Sequence, residues 1–160
     1  MDLKTGLLLL LALVLVLLNG FFVLAEFALV KVRTTRIEEL ARTGNRRAKL
    51  ARGVLDELDE FLSATQLGIT IASLGLGWVG EPAFTHLLES VIDRPVWMTK
   101  NASHVLSVIV SFCLITFLHI LIGEQAPKIL AIRRAEQVTL AVAAPMMWCY
   151  RLFYLPMLAV

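Results

Sequence analysis

The residues from Leu7 to Leu18 form an unbroken run of leucine, valine and alanine, and the apolar character continues past Asn19 and Glu26 to Val30. A stretch of this length crosses a bilayer as a helix, because in hydrocarbon the backbone has to satisfy its own hydrogen bonds. A cleaved leader is the competing reading, since Lys4 precedes a short apolar core. Asp2 weakens a charged start, no small-x-small cleavage site stands out, and the basic block follows the run instead of preceding it. That block comprises Lys31, Arg33, Arg36, Arg42, Arg46, Arg47, Lys49 and Arg52. By the positive-inside rule it is cytoplasmic, which places the N-terminus outside and the C-terminus in the cytoplasm.

Two further apolar stretches repeat the pattern, so the chain reads as an all-α integral membrane domain of three spans: about 7–30, 61–79 and 102–124. With 58% hydrophobic residues and charge gathered into blocks, a soluble domain is excluded. The formal charge of +2 gives no electrostatic footprint for nucleic acid. Cys113 and Cys149 lie in apolar surroundings, without the spacing of a metal knuckle or a disulfide framework. Between the first two spans, Arg36 to Leu58 mixes charges with Ile37, Leu40, Leu50, Val54, Leu55 and Leu58. Gly44-Asn45 predicts a break there between two short helices, either a belt against the cytoplasmic side of the membrane or a solvated connector.

From Gly80 to Lys100 the mixture of charges, Pro82 and Pro95 predicts an external loop with a short interfacial helix, flanked by Trp78 and Trp97 as aromatic belt residues. The C-terminal apolar stretch carries Pro145, Arg151 and Pro156 together with Trp148, Tyr150 and Tyr154. This composition predicts a proline-broken juxtamembrane helix, about 145–160, rather than a fourth span.

Polar residues inside the spans mark the candidate site. In Gly123-Glu124-Gln125-Ala126-Pro127-Lys128, Pro127 has no N–H to donate and deprives the Gly123 carbonyl of its helical partner. A freed carbonyl beside the Glu124 carboxylate is hard-cation chemistry; an ion pair between Glu124 and Lys128, four apart, is the plainer alternative. On the second span, Gln66, Thr70, Ser73 and Gly77 share one face at about 100° per residue, opposite a small-residue face of Ala64, Gly68, Ala72 and Gly75. The polar face is expected to point to the protein interior and the small face to serve close packing. The plainer reading of each hydroxyl is a bond to its own backbone. Asn19 and Glu26 share a face of the first span, while Thr116, Ile120, Gly123 and Pro127 share one on the third. His119 lies near that face with no zinc spacing and is read as a packed or hydrogen-bonded histidine. Convergence of these groups makes an oxygen-lined, acidic interior suited to magnesium, calcium or sodium.

Three ordered motifs carry a family resemblance: NGFFVLAEFALVKVR from Asn19 to Arg33, LGITIASLGLGWVGEPA from Leu67 to Ala83, and GEQAPK from Gly123 to Lys128. Together they resemble the transmembrane domain of the CorC and cyclin M (CNNM) magnesium transporters over essentially the whole chain. The resemblance implies a homodimer in the cell membrane that exports Mg²⁺, driven by inward movement of Na⁺, with no enzymatic activity. It also implies an ion site among polar side chains of the spans and a backbone carbonyl. Carried over by motif position, the metal-binding candidates are Asn19, Glu26, Thr70, Ser73, Gly123 and Glu124, with Gln66, Pro127 and Lys128 in support. Val23, Ala25, Ile69 and Thr70 depart from the more polar residues of many relatives, which leaves fewer side-chain oxygens. Longer members continue into a paired cytosolic CBS module. The 160 residues hold no such module, as expected of an isolated membrane domain or a shortened chain. A non-transporting membrane anchor and dimerisation module remains the alternative function. An intramembrane hydrolase finds no nucleophile with a base beside it.

Overall fold

The computed structural model describes residues 3–91 and 99–157, with side-chain surroundings for 3–90 and 99–152. The first apolar run becomes α1 (Leu3–Lys31), whose 29 residues span about 44 Å, more than the roughly 30 Å of bilayer hydrocarbon. After it come α2 (Thr34–Arg42) and α3 (Arg46–Asp56), the expected pair of short helices. Gly44, at φ 92°, supplies the left-handed turn between them, and the Asn45 side chain caps α3 by accepting from the N–H groups of Arg47 and Ala48. The second span is α4 (Leu58–Val91). The third runs from α5 (Lys100–Leu118) through a π-helical turn (His119–Gln125) into α6 (Ala126–Arg133), and α7 (Ala135–Met157) ends the described chain. Among the described residues three helices are long and apolar enough to cross a membrane: α1, α4 and the composite Lys100–Arg133. The fold is an all-α membrane domain.

Two expectations about helix ends change. From Gly80 onward α4 continues unbroken through Pro82 to Val91, where a loop was expected. The apolar residues Phe84, Leu87 and Leu88 recur at helical spacing and keep one side of the helix covered, which offsets the one hydrogen bond the proline removes. The remainder of the expected external segment, with Ile92, Pro95 and Trp97, lies outside the described residues. Likewise α7 is one helix from Ala135, passing through Pro145 without a break, and is not a juxtamembrane piece beginning near that proline. It is held at its start by Val138, Val142, Ala143 and Met146, all buried in the inner core, so packing rather than local propensity keeps it continuous.

Packing divides the bundle into two apolar layers. The larger joins Phe22, Ala25, Ala28 and Leu29 of α1 to Ile37, Ala51, Val54, Phe61, Ala131 and the buried face of α7. The smaller, toward the opposite end of α1, joins Ala12, Val16, Leu76 and Ile115. Tyr150 fastens α7 to the base of α4: its ring lies 4.8 Å from that of Phe61 and its hydroxyl donates to Glu60.

The small face of α4 serves close packing as expected, but the polar face does not turn to the interior as a whole. Ala64, Gly68 and Ala72 are buried, Gly68 beneath the Phe22 ring and Gly75 against Leu15, whereas Gln66, Thr70 and Gly77 are exposed and only Ser73 turns inward. Backbone approach decides this, because α1 and α4 can close on each other only where α4 carries no bulk. The Thr70 hydroxyl donates to the Gln66 carbonyl at 2.8 Å, the plainer of its two readings.

A Cβ added at Gly68 stands 2.5 Å from Phe22, whereas one at Gly77 meets nothing within 4 Å. Gly68→Val is therefore expected to cost about 1–3 kcal/mol, against a much smaller effect for Gly77→Val. Thermal unfolding of both variants in one detergent checks the difference.

Candidate functional site

Between the two apolar layers α1 places a single fully buried amide, Asn19. Its Nδ2 donates to the Gly123 carbonyl at 3.0 Å and approaches Nε2 of His119 at 3.1 Å, while its Oδ1 accepts from the Ser73 hydroxyl at 3.1 Å. One side chain thus joins all three spans. With Nδ2 donating, the His119 nitrogen that faces it accepts, so the ring proton sits on Nδ1. The same Nε2 lies 3.5 Å from Oε1 of Glu124.

The backbone beneath this cluster is arranged by sequence. Pro127 supplies no N–H, so the carbonyl of Gly123 is denied its helical donor and takes the Asn19 amide instead. The helix widens locally to a π turn, in which the N–H of Ala126 bonds back five residues to Leu121. Gly20 makes the approach possible: a Cβ there lies 3.2 Å from Pro127 Cγ and 3.4 Å from the Ile122 carbonyl. A Cβ at Gly123 lies 2.9 Å from the His119 ring and 3.3 Å from Asn19 Nδ2. Glycine at both positions keeps the carbonyl within reach.

The π turn also explains where the angular count fails. One added residue per turn rotates the residues beyond it by about 100°. His119 enters the cluster, while Ile120, counted on the face of Gly123, points outward. The i,i+4 partnership of Glu124 and Lys128 is not formed among the described residues; Glu124 turns to His119, and the Lys128 ammonium sits 4.5 Å above the Phe27 ring.

Of the six candidate ligands, Ser73 and Gly123 both bond Asn19, and Glu124 lies beside them, with Oε1 3.5 Å from the His119 nitrogen that the amide faces. Thr70 is exposed and bonded to its own helix. Glu26, two turns along α1 and roughly 10 Å from Asn19, has Gln66 and Lys128 as its polar neighbours. A cavity of about 230 Å³ opens beside the cluster between α4 and the third span, lined by Ser73, Glu81, Thr116, His119 and Glu124 among others. Glu81, unassigned from sequence, projects into it from the continued α4 and accepts from the buried Thr85 hydroxyl at 3.0 Å. Its signal was the four-residue spacing Ser73, Gly77, Glu81, masked by treating Pro82 as a break. No group of three or more His, Cys, Asp or Glu side chains suited to a metal occurs among the described residues; the site offers amide, hydroxyl and carbonyl oxygens, with the Glu124 and Glu81 carboxylates and the His119 ring on the adjoining cavity.

The profile of the cyclin M transmembrane N-terminal domain matches residues 10–160. The UPF0053 protein YhdT of Bacillus subtilis is 53% identical over 142 residues, covering 89% of this chain and 30% of that protein. The UPF0053 protein YrkA of the same organism is 45% identical over 140 residues, 88% of this chain and 32% of the relative. The UPF0053 protein sll0260 of Synechocystis is 39% identical over 134 residues, 83% of this chain and 30% of the relative. The chain spans about a third of the length of these relatives.

Removing the Asn19 amide leaves a buried carbonyl without its donor. Asn19→Ala is expected to cost about 1–3 kcal/mol, and Ser73→Ala a similar amount because it strips the buried Asn19 Oδ1 of its donor. Parallel thermal melts in detergent give both numbers.

Proposed function

We propose that this chain, which belongs to the cyclin M transmembrane-domain family, exports Mg²⁺ across the cell membrane with Na⁺ moving inward, binding the cation at the Asn19–Ser73–Gly123 cluster. The observation that carries the reading is the buried Asn19 amide seated on a carbonyl that Pro127 has freed, at 3.0 Å. Two oxygens at neighbouring corners of a magnesium octahedron, each 2.0–2.1 Å from the metal, stand about 2.9 Å apart. Rotating the Asn19 amide by half a turn puts Oδ1 where Nδ2 now lies, so the spacing suits a cation held between Oδ1 and the Gly123 carbonyl. In that rotation the ion replaces the N–H donor, and neither buried oxygen is left bare.

The neighbouring groups share the work. Ser73 adds a hydroxyl from α4, and Glu124 supplies the compensating negative charge and an oxygen able to replace a water of hydration. His119, between the amide and Glu124, follows the rotation: facing Nδ2 its Nε2 accepts, and facing Oδ1 it donates. The cavity beside Ser73, His119 and Glu124 offers the ion a lateral way out of the cluster toward Glu81. Alternating access then amounts to repositioning α4 and the third span about the buried amide.

The basic residues at one end of the spans support a cytoplasmic C-terminus and an external N-terminus. Exposed apolar side chains along all three spans fit a lipid bilayer and a second copy of the chain in a homodimer. The greater length of the relatives is consistent with a cytosolic CBS module following the membrane domain in longer members.

Efflux from Mg²⁺-loaded proteoliposomes, with and without an opposing Na⁺ gradient, tests the reading. Wild-type flux is expected to rise with external Na⁺ and to fall roughly 10- to 100-fold in Asn19→Ala and Glu124→Ala. Thr70→Ala, whose hydroxyl serves its own helix, is expected to retain most of it. An absence of Mg²⁺ flux in the wild type under either gradient overturns the proposal in favour of a membrane anchor and dimerisation module.

A further inference from the structure

A second cavity, of about 560 Å³, lies where α1, α2, α6 and α7 meet, far from the Asn19 cluster. Its walls carry Lys31, Arg33, Arg36 and Arg133 against two carboxylates, Glu39 and Glu136. Those carboxylates are taken: Arg36 donates to Glu39 at 2.7 Å and to Glu136 at 3.4 Å. The hydrogen bond and charge of Glu39, with the charge of Glu136, push the Arg36 guanidinium further up from its ordinary value. Four cations against two carboxylates leave the cavity a formal surplus of two positive charges, with Lys31, Arg33 and Arg133 outside any ion pair among the described residues.

Their depth in the structure selects the ligand. Lys31 is the last residue of α1 and Arg133 the last of the composite third span, so both stand where hydrocarbon gives way to headgroups. Val32 and Ile132 line the same cavity, giving it an apolar side next to the cations. Arg33 precedes α2, whose N-terminus is capped by no side chain, and Thr35 of its first turn faces the cavity. A helix start directed at a basic cavity adds backbone donors for a phosphate oxygen. A volume of this size falls in the range of about 300–1,000 Å³ usual for sites of small ligands.

We propose that the cavity between Lys31, Arg33 and Arg133 is a binding site for the phosphate headgroup of an anionic phospholipid, held at the basic end of the spans. The phosphate lies among the three cations, and the glycerol and upper acyl chains run along Val32 and Ile132. This assignment uses none of the Asn19 cluster and stands apart from the ion that the protein carries.

The test uses the chain purified in a neutral detergent and titrated with phosphatidylglycerol, with phosphatidylcholine as the zwitterionic reference, reading bound lipid by native mass spectrometry. Preferential retention of phosphatidylglycerol is expected. The triple variant Lys31→Gln, Arg33→Gln, Arg133→Gln is expected to weaken it roughly a hundredfold. A control with the same change in charge, Arg42→Gln, Arg46→Gln, Lys49→Gln, is expected to leave it nearly unchanged. The variant Arg33→Lys, Arg133→Lys retains binding, which separates loss of charge from loss of fold. Equal weakening in both triple variants reduces the effect to bulk charge and overturns the site. Displacement by inorganic phosphate at the same molar ratio as lipid overturns the lipid assignment in favour of a soluble phosphate. A lack of preference over phosphatidylcholine, with tight binding of a polyglutamate peptide instead, overturns it in favour of an acidic protein segment.

Discussion

A carbonyl that cannot be bonded within its own helix is the constraint from which the centre of this molecule is built. Water is absent at membrane depth, so the Gly123 oxygen released by Pro127 has to find a donor on another helix, and Asn19 provides it. The amide can arrive only because Gly20 and Gly123 carry no side chain, and it is held in orientation by Ser73 from a third direction. A proline, two glycines, an asparagine and a serine on three separate spans thus form a single arrangement. Each would be unfavourable or idle without the others. The polar layer so formed is bounded on either side by apolar packing, which raises the cost of any alternative pairing.

Close packing without a hydrophobic driving force needs small residues, and the helices here meet through alanine and glycine. Ala25, Ala28, Ala64, Ala72 and Ala131 are all fully covered. The price is that polar groups on the opposite face of α4 turn outward, with Thr70 bonding its own backbone. Burial in this protein follows how near two backbones can come rather than how polar a residue is.

Much of the architecture was legible. The apolar runs located three spans, Gly44-Asn45 located the break between α2 and α3, and Pro127 identified the carbonyl that leaves its helix. Asn19, Ser73 and Gly123 were recognisable as partners because each is out of place in an apolar helix. Three things were hidden. The contacts of His119 with Asn19 and with Glu124 depend on a π turn, which has no compositional mark beyond the proline at its end. Glu81 depended on α4 continuing through Pro82, a matter of tertiary cover over Phe84 and its neighbours. The assignment of the polar face of α4 failed because side-chain polarity was weighed against lipid alone and not against the approach of α1.

The unbroken course of α4 has a mechanical consequence. At its base, Phe61 and Glu60 are gripped by Tyr150 of α7. Twelve residues farther along, roughly 18 Å up the same rod, Ser73 touches Asn19. A tilt of about 10° pivoting at Phe61 swings Ser73 sideways by about 3 Å over that arm, as far as the 3.1 Å hydrogen bond is long. The grip of one tyrosine on the foot of α4 is therefore a fulcrum, at which a small change of tilt is magnified over 12 residues to the length of a hydrogen bond at Asn19.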